Sequence, residues 1–170
     1  MKLSGRTILI VDDKAGDCFL MGRALDRTGF GLTIHFVTHA EEAVAYLNGH
    51  GVYAERLLFP YPSLIIADLG MHGGGGFSVL VQLRQNPAPQ VVPVLVFSSS
   101  DDPSQMWRAY NLGATLYCAK RQNSVDLLPI VSNLFDHCPT GDSSLHRSAG
   151  DREIDSAPLG LRILKKRALL

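Results

Sequence analysis

Short apolar runs alternate with longer stretches of helical periodicity along most of this chain. Residues 7–11, TILIV, form a β-branched run bounded by charge, which is typical of a strand buried on both faces. Residues 15–28 carry apolar side chains at helical spacing, and Gly29 is a natural stop for that helix. The same pattern predicts strands at 32–37, 63–67, 94–97 and 115–119, and helices at 40–47, 77–85, 104–112 and 124–137.

Five strands that alternate with five helices predict an α/β fold with a parallel sheet, because parallel strands need crossover connections. Right-handed crossovers favour the doubly wound, flavodoxin-like strand order 2-1-3-4-5, with helices on both faces of the sheet. In such a sheet the ligand site lies beyond the carboxyl ends of the strands, where the order reverses beside strand one. The residues that follow the strands are therefore the first candidates for chemistry.

Acidic, hydroxyl and basic side chains stand at these strand ends. Asp12 and Asp13 follow strand one, Asp68 follows strand three, Ser98 follows strand four and Lys120 follows strand five. Strands one and three are neighbours in the expected order, so three carboxylates should converge and raise one another's proton affinity. A bound divalent cation removes that conflict, and an all-oxygen ligand set suits Mg2+.

This set of residues suits phosphoryl transfer to a carboxylate, which depends mainly on positioning and charge stabilisation. Asp68 would be the nucleophile and would form an acyl phosphate. Asp13, with Asp12, would hold the metal together with the backbone carbonyl of Gly70. The lysine and the serine hydroxyl at the other two strand ends would each contact a phosphoryl oxygen. Each of these residues taken alone could have a purely structural role, since aspartates after strands often cap helices. The prediction rests on finding all of them together at the strand ends.

The composition argues against nucleic-acid binding, membrane insertion and secretion. Sixteen basic and sixteen acidic residues give zero formal charge, so no global field is available to hold nucleic acid or an anionic membrane. No apolar run approaches the roughly 18 residues of a membrane span, and the amino terminus does not read as a signal peptide. The three cysteines, Cys18, Cys118 and Cys138, have no CxxC spacing and favour a reducing compartment. We therefore expect a cytoplasmic protein without stable membrane insertion.

Two regions follow from the composition: a folded domain at 1–138 and an appendage at 139–170. Residues 139–158 are rich in Ser, Asp, Gly and Pro and predict a flexible linker. Residues 159–170, LGLRILKKRALL, could form a short basic amphipathic helix that touches a partner, a second protomer or an acidic lipid surface. A frayed, functionally silent end is equally compatible, because so short a helix is marginal in water.

The chain resembles the response-regulator receiver domains of two-component signalling across residues 6–137. It is similar in detail to small single-domain regulators partnered with phytochrome-type or other sensor kinases. The segments that carry the resemblance are ILIVDD (8–13), LIIADLGM (64–71), GFSVLVQLR (76–84), PVLVFSSSDD (93–102) and RAYNLGATLYCAK (108–120). The resemblance implies a phosphohistidine donor on a sensor histidine kinase or a histidine phosphotransfer protein. It also implies a regulated face made by helix four, strand five and helix five, through which a homodimer could form.

Carried over by position, the resemblance assigns roles to seven residues at the strand ends. They are the phosphoacceptor Asp68, the metal ligands Asp12, Asp13 and Gly70 (through its carbonyl), the switch hydroxyl Ser98, the inward-turning switch aromatic Tyr117 and the phosphate-sensing Lys120. Such a protein catalyses its own phosphorylation and slow hydrolysis, and it is not an enzyme with a free substrate. A phosphatase is disfavoured, because Gly70 stands where such an enzyme needs a second acid.

Two departures from the family pattern leave an alternative open. His72 and Arg121 stand where the family usually has proline, in the segment after the phosphoacceptor and directly after the lysine. The second replacement could loosen the lysine loop and alter its coupling to the site. These departures motivate a second hypothesis, a receiver-like module that binds proteins without phosphorylation.

Overall fold

The computed structural model describes residues 5–71, 76–86, 92–120 and 131 of the 170-residue chain. The predicted helix at 124–137 apart from Val131, the appendage at 139–170, His72 and Arg121 all lie outside the described residues. In chain order the elements are β1 (Thr7–Val11), α1 (Ala15–Asp26), β2 (Thr33–Val37), α2 (Ala40–Asn48), a 3-10 helix (Gly51–Ala54), β3 (Leu64–Ala67), α3 (Phe77–Gln85), β4 (Val94–Ser98), α4 (Pro103–Asn111) and β5 (Leu116–Ala119).

The five strands form one parallel sheet in the order β2-β1-β3-β4-β5, which confirms the predicted topology. All five residues of β1 are buried, as expected for a central strand covered on both faces. Val11, at the end of β1, is in register with Val37 on one side and Ala67 on the other. The residues that follow, Asp12 and Asp68, therefore leave the sheet side by side at its carboxyl edge.

The core lies in two layers because successive side chains of a strand point to opposite faces of the sheet. On one face Leu9, Ile65 and Val96 join buried residues of α2, α3 and α4. On the other face Ile8, Ile66 and other alternate strand residues pack against α1 and Val131. This arrangement confirms helices on both faces. Burying each such aliphatic side chain contributes about 1.5–3 kcal/mol.

Helices α1, α2 and α3 begin at the predicted residues and α4 begins one residue earlier, but the cap of α2 differs from the sequence expectation. Thr38 looks like the cap of α2, but the residue before the helix is His39, and it makes no side-chain cap. Thr38 instead donates its backbone N–H to Glu42, 2.8 Å away, in the first turn. In α4 the first helical residue is Pro103, and Asp102 caps the helix by accepting the Ser104 N–H at 2.9 Å.

The connection between α2 and β3 is more ordered than its glycines and prolines suggest. Arg56 donates to two carbonyls in the last turn of α2, at 2.9 Å from Tyr46 O and 2.8 Å from Leu47 O, and so ties this connection to the end of the helix. The Tyr46 ring contacts Tyr53 and Phe59, with ring centroids 5.2 and 6.1 Å apart. Within the described residues, no helix has the length and apolar character needed to cross a membrane.

Candidate functional site

Two buried carboxylates form the centre of the site. Asp12 and Asp68 are only 1% and 2% exposed. One oxygen of each is held by the backbone two residues on: Asp12 Oδ1 accepts the Lys14 N–H at 2.9 Å, and Asp68 Oδ1 accepts the Gly70 N–H at 2.9 Å. The two Oδ2 atoms therefore remain available to a shared cation, and they are the atoms that the neighbouring lysine contacts.

Lys120 reaches both carboxylates from the end of β5. Its Nζ lies 3.1 Å from Asp68 Oδ2 and 3.4 Å from Asp12 Oδ2, and it lies 2.9 Å from Asp17 Oδ2. Burial by itself would lower the pKa of Lys120, but the three carboxylates outweigh burial and raise the pKa above its ordinary value of 10.5. The lysine is therefore a fixed positive charge at the centre of an acidic cluster.

Asp17 belongs to this cluster, and the sequence reasoning missed it. Carboxylate oxygens of Asp12, Asp17 and Asp68 lie within 4.8 Å of one another, close enough to ligate one metal ion. Asp13 is half-buried beside Asp12 but does not belong to that group of three. A signal for Asp17 existed, because it falls in the first turn of the helix that starts two residues after the acidic pair.

The acidic cluster remains short of positive charge even with Lys120 in place. The pKa of Asp12 is raised above its ordinary value of 3.8, first by burial and then by the charges of Asp68 and Asp17. The Lys14 N–H and the Lys120 charge act in the opposite direction without cancelling this shift. Within the described part of the chain, the buried Asp68 Oδ2 accepts no hydrogen bond of good geometry, and ammonium groups are its charged neighbours.

This donor set fits a hard divalent cation. It offers closely spaced carboxylate oxygens and the adjacent carbonyl oxygen of Gly70, and such cations prefer oxygen ligands. The buried Asp68 Oδ2 is an atom that such a cation would satisfy. Within the described residues this is the one group of three acidic, histidine or cysteine side chains close enough to share an ion.

Ser98 and Tyr117 lie together beside the acidic cluster. Ser98, the last residue of β4, is buried, and its Oγ accepts the Ser100 N–H at 3.2 Å. The Tyr117 ring is buried, and its hydroxyl donates to Ser100 O at 2.8 Å. Burial raises the pKa of Tyr117, although hydrogen bonds with Ser98 and Ser100 oppose that shift. The aromatic ring is therefore already turned inward and tied to the loop that follows β4.

Lys14 is a second cation at the site. Its Nζ lies 3.4 Å from the carbonyl oxygen of Gly70 and 3.8 Å from Asp68 Oδ2, and its side chain is 46% exposed. Gly70 leaves little room beside it, because a Cβ there would lie 3.2 Å from Asp68 Oδ2 and 3.4 Å from Lys14 Nζ. The site thus has an interior lysine from β5 and an exposed lysine from the start of α1.

The fold and this edge of the sheet match one protein family. The model of the response regulator receiver domain matches residues 8–132, which is most of the chain. The chain therefore belongs to the response regulator receiver domain family, the class of regulators used in two-component signalling. The sequence resemblance described above is thereby confirmed.

Two known response regulators are similar to this chain, one in sequence and one in structure. The chain is 28% identical to the response regulator Rcp1 of Synechocystis sp. over 129 residues, which are 76% of this chain and 86% of that protein. The phosphorylated cyanobacterial phytochrome response regulator RcpA is similar in structure, with a TM-score of 0.65 at 28% identity over 79% of this chain and 94% of its own.

Two further solved structures are close in fold. A response regulator in red light signalling of R. palustris gives a TM-score of 0.69 at 25% identity, over 81% of this chain and 96% of its own. The Mn2+-bound form of Rcp1 gives a TM-score of 0.63 at 27% identity, over 81% of this chain and 97% of its own. These structures confirm the doubly wound order of the sheet.

Proposed function

We propose that this chain is a response regulator that accepts a phosphoryl group on Asp68 and changes its partner binding in response. The observation that carries the proposal is the Asp68 carboxylate, which is buried at the carboxyl end of β3, held by the Gly70 N–H and 3.1 Å from Lys120 Nζ. The donor is a phosphohistidine on a sensor histidine kinase or a histidine phosphotransfer protein. Phytochrome-type kinases are favoured because RcpA is a phytochrome response regulator and the similar regulator of R. palustris belongs to red light signalling.

The transfer forms an acyl phosphate. A carboxylate oxygen of Asp68 attacks phosphorus, the O–P bond forms, and the N–P bond to the donor imidazole breaks with its electron pair leaving on nitrogen. Lys120 opposes the negative charge that spreads over the phosphoryl oxygens. The backbone N–H of Gly70 holds the carboxylate in place before attack, which reduces the reorganisation needed in the transition state.

The cofactor of this reaction is Mg2+ in our proposal. Asp12, Asp13 and Asp68 would hold it with the carbonyl oxygen of Gly70, and the geometry adds Asp17 as a neighbour of the same space. When bound, the ion neutralises charge on the carboxylates and on the incoming phosphoryl oxygens. The carboxylates themselves must stay ionised to bind it, and Lys120 favours that state for Asp12.

The response passes through the loop after β4. We assign Ser98 as the hydroxyl that contacts the phosphoryl group and Tyr117 as the aromatic switch residue. Support comes from the Tyr117 hydroxyl, which donates to Ser100 O, so a shift of the loop would move the ring. The face that would report the change consists of α4, β5 and the predicted helix at 124–137, and it could also form a homodimer.

The proposal also includes the domain boundary predicted from the sequence and the location of the protein. We propose from the sequence that residues 1–138 make up the receiver and that residues 139–170 serve as a linker with a short basic tail. A cytoplasmic location is supported by Cys18 and Cys118, which are buried thiols and not half of a disulfide. The protein acts by switching partners and catalyses only its own phosphorylation and dephosphorylation.

Uptake from a small phosphodonor tests the proposal. The protein is incubated with Mg2+ and acetyl phosphate, and intact mass is measured for the wild type, Asp68→Asn and the control Asp101→Asn. Asp101 is an exposed aspartate in the loop after β4, so its replacement makes the same chemical change away from the buried carboxylates. We expect one added phosphoryl group in the wild type and in Asp101→Asn, and none in Asp68→Asn.

Two outcomes would contradict the proposal. Uptake that persists in Asp68→Asn would place the acceptor elsewhere. A natively folded wild type that takes up no phosphoryl group would favour the phosphorylation-independent binding module. Circular dichroism of all three proteins separates a loss of chemistry from a loss of fold.

A further inference from the structure

Lys14 contacts two of the oxygens that the proposed metal ion needs. Its Nζ is 3.4 Å from the Gly70 carbonyl oxygen and 3.8 Å from Asp68 Oδ2. Both atoms belong to the expected ligand set. The local backbone helps to hold the lysine there, since the Lys14 N–H donates to Asp12 Oδ1 and the residue stands directly before α1.

We propose that Lys14 is an internal competitor of the divalent ion, and that its side chain lowers the metal affinity of the site. Its ammonium group occupies the Gly70 and Asp68 oxygens at rest, and metal binding displaces it into solvent. This inference rests on the proposed function, because the competing ion is the one required for phosphoryl transfer.

The two lysines of the site differ in how easily they can leave. Lys120 is 18% exposed and contacts three carboxylates within 3.4 Å, so its removal would leave buried charges unbalanced. Lys14 is 46% exposed, and its longer contacts are with one carboxylate oxygen and one carbonyl oxygen. A flexible lysine stem regains rotamer freedom when it is released into water. Lys14 is therefore the group that yields to an incoming ion.

The expected effect on affinity is modest, because partly exposed ion pairs contribute little. We expect the contacts of a lysine at this exposure to lower the affinity of the site for the ion by roughly 3- to 10-fold. Two terms act in the same direction: the ion must displace the ammonium group from its oxygens, and any positive charge that stays nearby repels the ion. Replacement by a neutral residue of similar length removes both terms.

Direct ion binding tests the inference without phosphorylation. Free Mn2+ is measured by electron paramagnetic resonance during titration of the wild type, Lys14→Gln and Arg27→Gln. Arg27 is exposed at the far end of the same helix, so its replacement removes one positive charge away from the site. We expect Lys14→Gln to bind Mn2+ roughly 3- to 10-fold more tightly, and Arg27→Gln to differ from the wild type by less than about 2-fold.

A second readout follows Lys14 itself in the wild-type protein. Brief treatment with an amine-acetylating reagent, followed by peptide mass spectrometry, reports how accessible each lysine is. Added Mn2+ should increase acetylation of Lys14, because the ammonium group is displaced into solvent. This arm also keeps the inference testable if Lys14→Gln does not fold.

The outcomes separate this inference from the proposed function. If the wild type binds Mn2+ but Lys14→Gln binds it equally or more weakly, the competition is refuted while the proposed function stands. Unchanged or reduced acetylation of Lys14 on ion binding would also refute it. If neither protein binds Mn2+ at millimolar concentration, the proposed metal site fails and the inference fails with it.

Discussion

A substitution at Gly76 tests how tightly the chain packs against the backbone of Asp68, the proposed phosphoacceptor. It precedes α3 with φ −63° and ψ −13°, a conformation open to any residue, so backbone freedom is not what requires a glycine here. The requirement is space. A Cβ at this position would overlap the Asp68 carbonyl oxygen and would lie 2.5 Å from Leu69 Cα and 2.6 Å from the Asp68 carbonyl carbon.

The magnitude of Gly76→Ala follows from these contacts. Non-bonded carbon atoms prefer separations of about 3.5–4.0 Å, so the backbone would have to move by about 1 Å. Overpacking costs about 1–3 kcal/mol, and the upper end applies because the obstacle is backbone and cannot rotate away. Replacing glycine by alanine at a compatible conformation adds about 0.4–1 kcal/mol to the free energy of unfolding, because the unfolded chain has less conformational entropy. The free energy of unfolding should therefore fall by about 2 kcal/mol.

Urea denaturation of the full chain measures this change. With a slope of about 1–3 kcal/mol per molar urea, the midpoint should fall by about 1 M. The matched control is Gly16→Ala in α1, where no heavy atom lies within 4 Å of the added Cβ. That variant should be unchanged or more stable by up to about 1 kcal/mol. If the two variants have equal stability, the close packing of Gly76 on the Asp68 backbone is refuted.

Substitutions of His35 and Lys120 test how buried titratable groups affect stability. Burial lowers the pKa of His35 below its ordinary 6.5, so the unfolded chain binds the proton first and the free energy of unfolding should decrease as pH falls below about 6.5. His35→Phe should weaken this dependence in urea titrations at several pH values, and an unchanged slope would contradict the assignment. Lys120→Ala should lower the unfolding free energy by about 1–3 kcal/mol without divalent ions, because it removes the cation shared by three carboxylates. Mg2+ should stabilise Lys120→Ala more than the wild type in thermal unfolding, and equal stabilisation would count against the shared-cation view.

Most of the fold could be predicted from sequence because its strands are short apolar runs bounded by polar, glycine or proline residues. Residues 7–11 and 77–85 were predicted with the same bounds that β1 and α3 have. The carboxyl edge then followed from topology, so the neighbourhood of Asp12, Asp68 and Lys120 was accessible before any coordinates. These residues are far apart in the sequence, but their proximity could still be predicted, because parallel strands bring their carboxyl ends to one edge of the sheet.

The remaining features depend on side-chain positions that the sequence does not encode locally. Asp17 looks like an ordinary acid in the first turn of a helix, and only the packing of α1 against the sheet brings it to Lys120. Lys14 looks like a connecting residue, although its ammonium group reaches across to Gly70. The 3-10 helix and the contacts of Arg56 lie in a stretch with no periodicity, and tertiary contacts organise it.

The central claim is that a phosphoryl group arrives on one buried carboxylate. An acyl phosphate is reduced by borohydride to an alcohol, so the phosphorylated aspartate becomes homoserine and can be located by peptide sequencing. After incubation with Mg2+ and acetyl phosphate, homoserine at Asp68 alone is the result that this account predicts. Homoserine at Asp12, Asp13 or Asp17, or none at all in a natively folded protein, would contradict it.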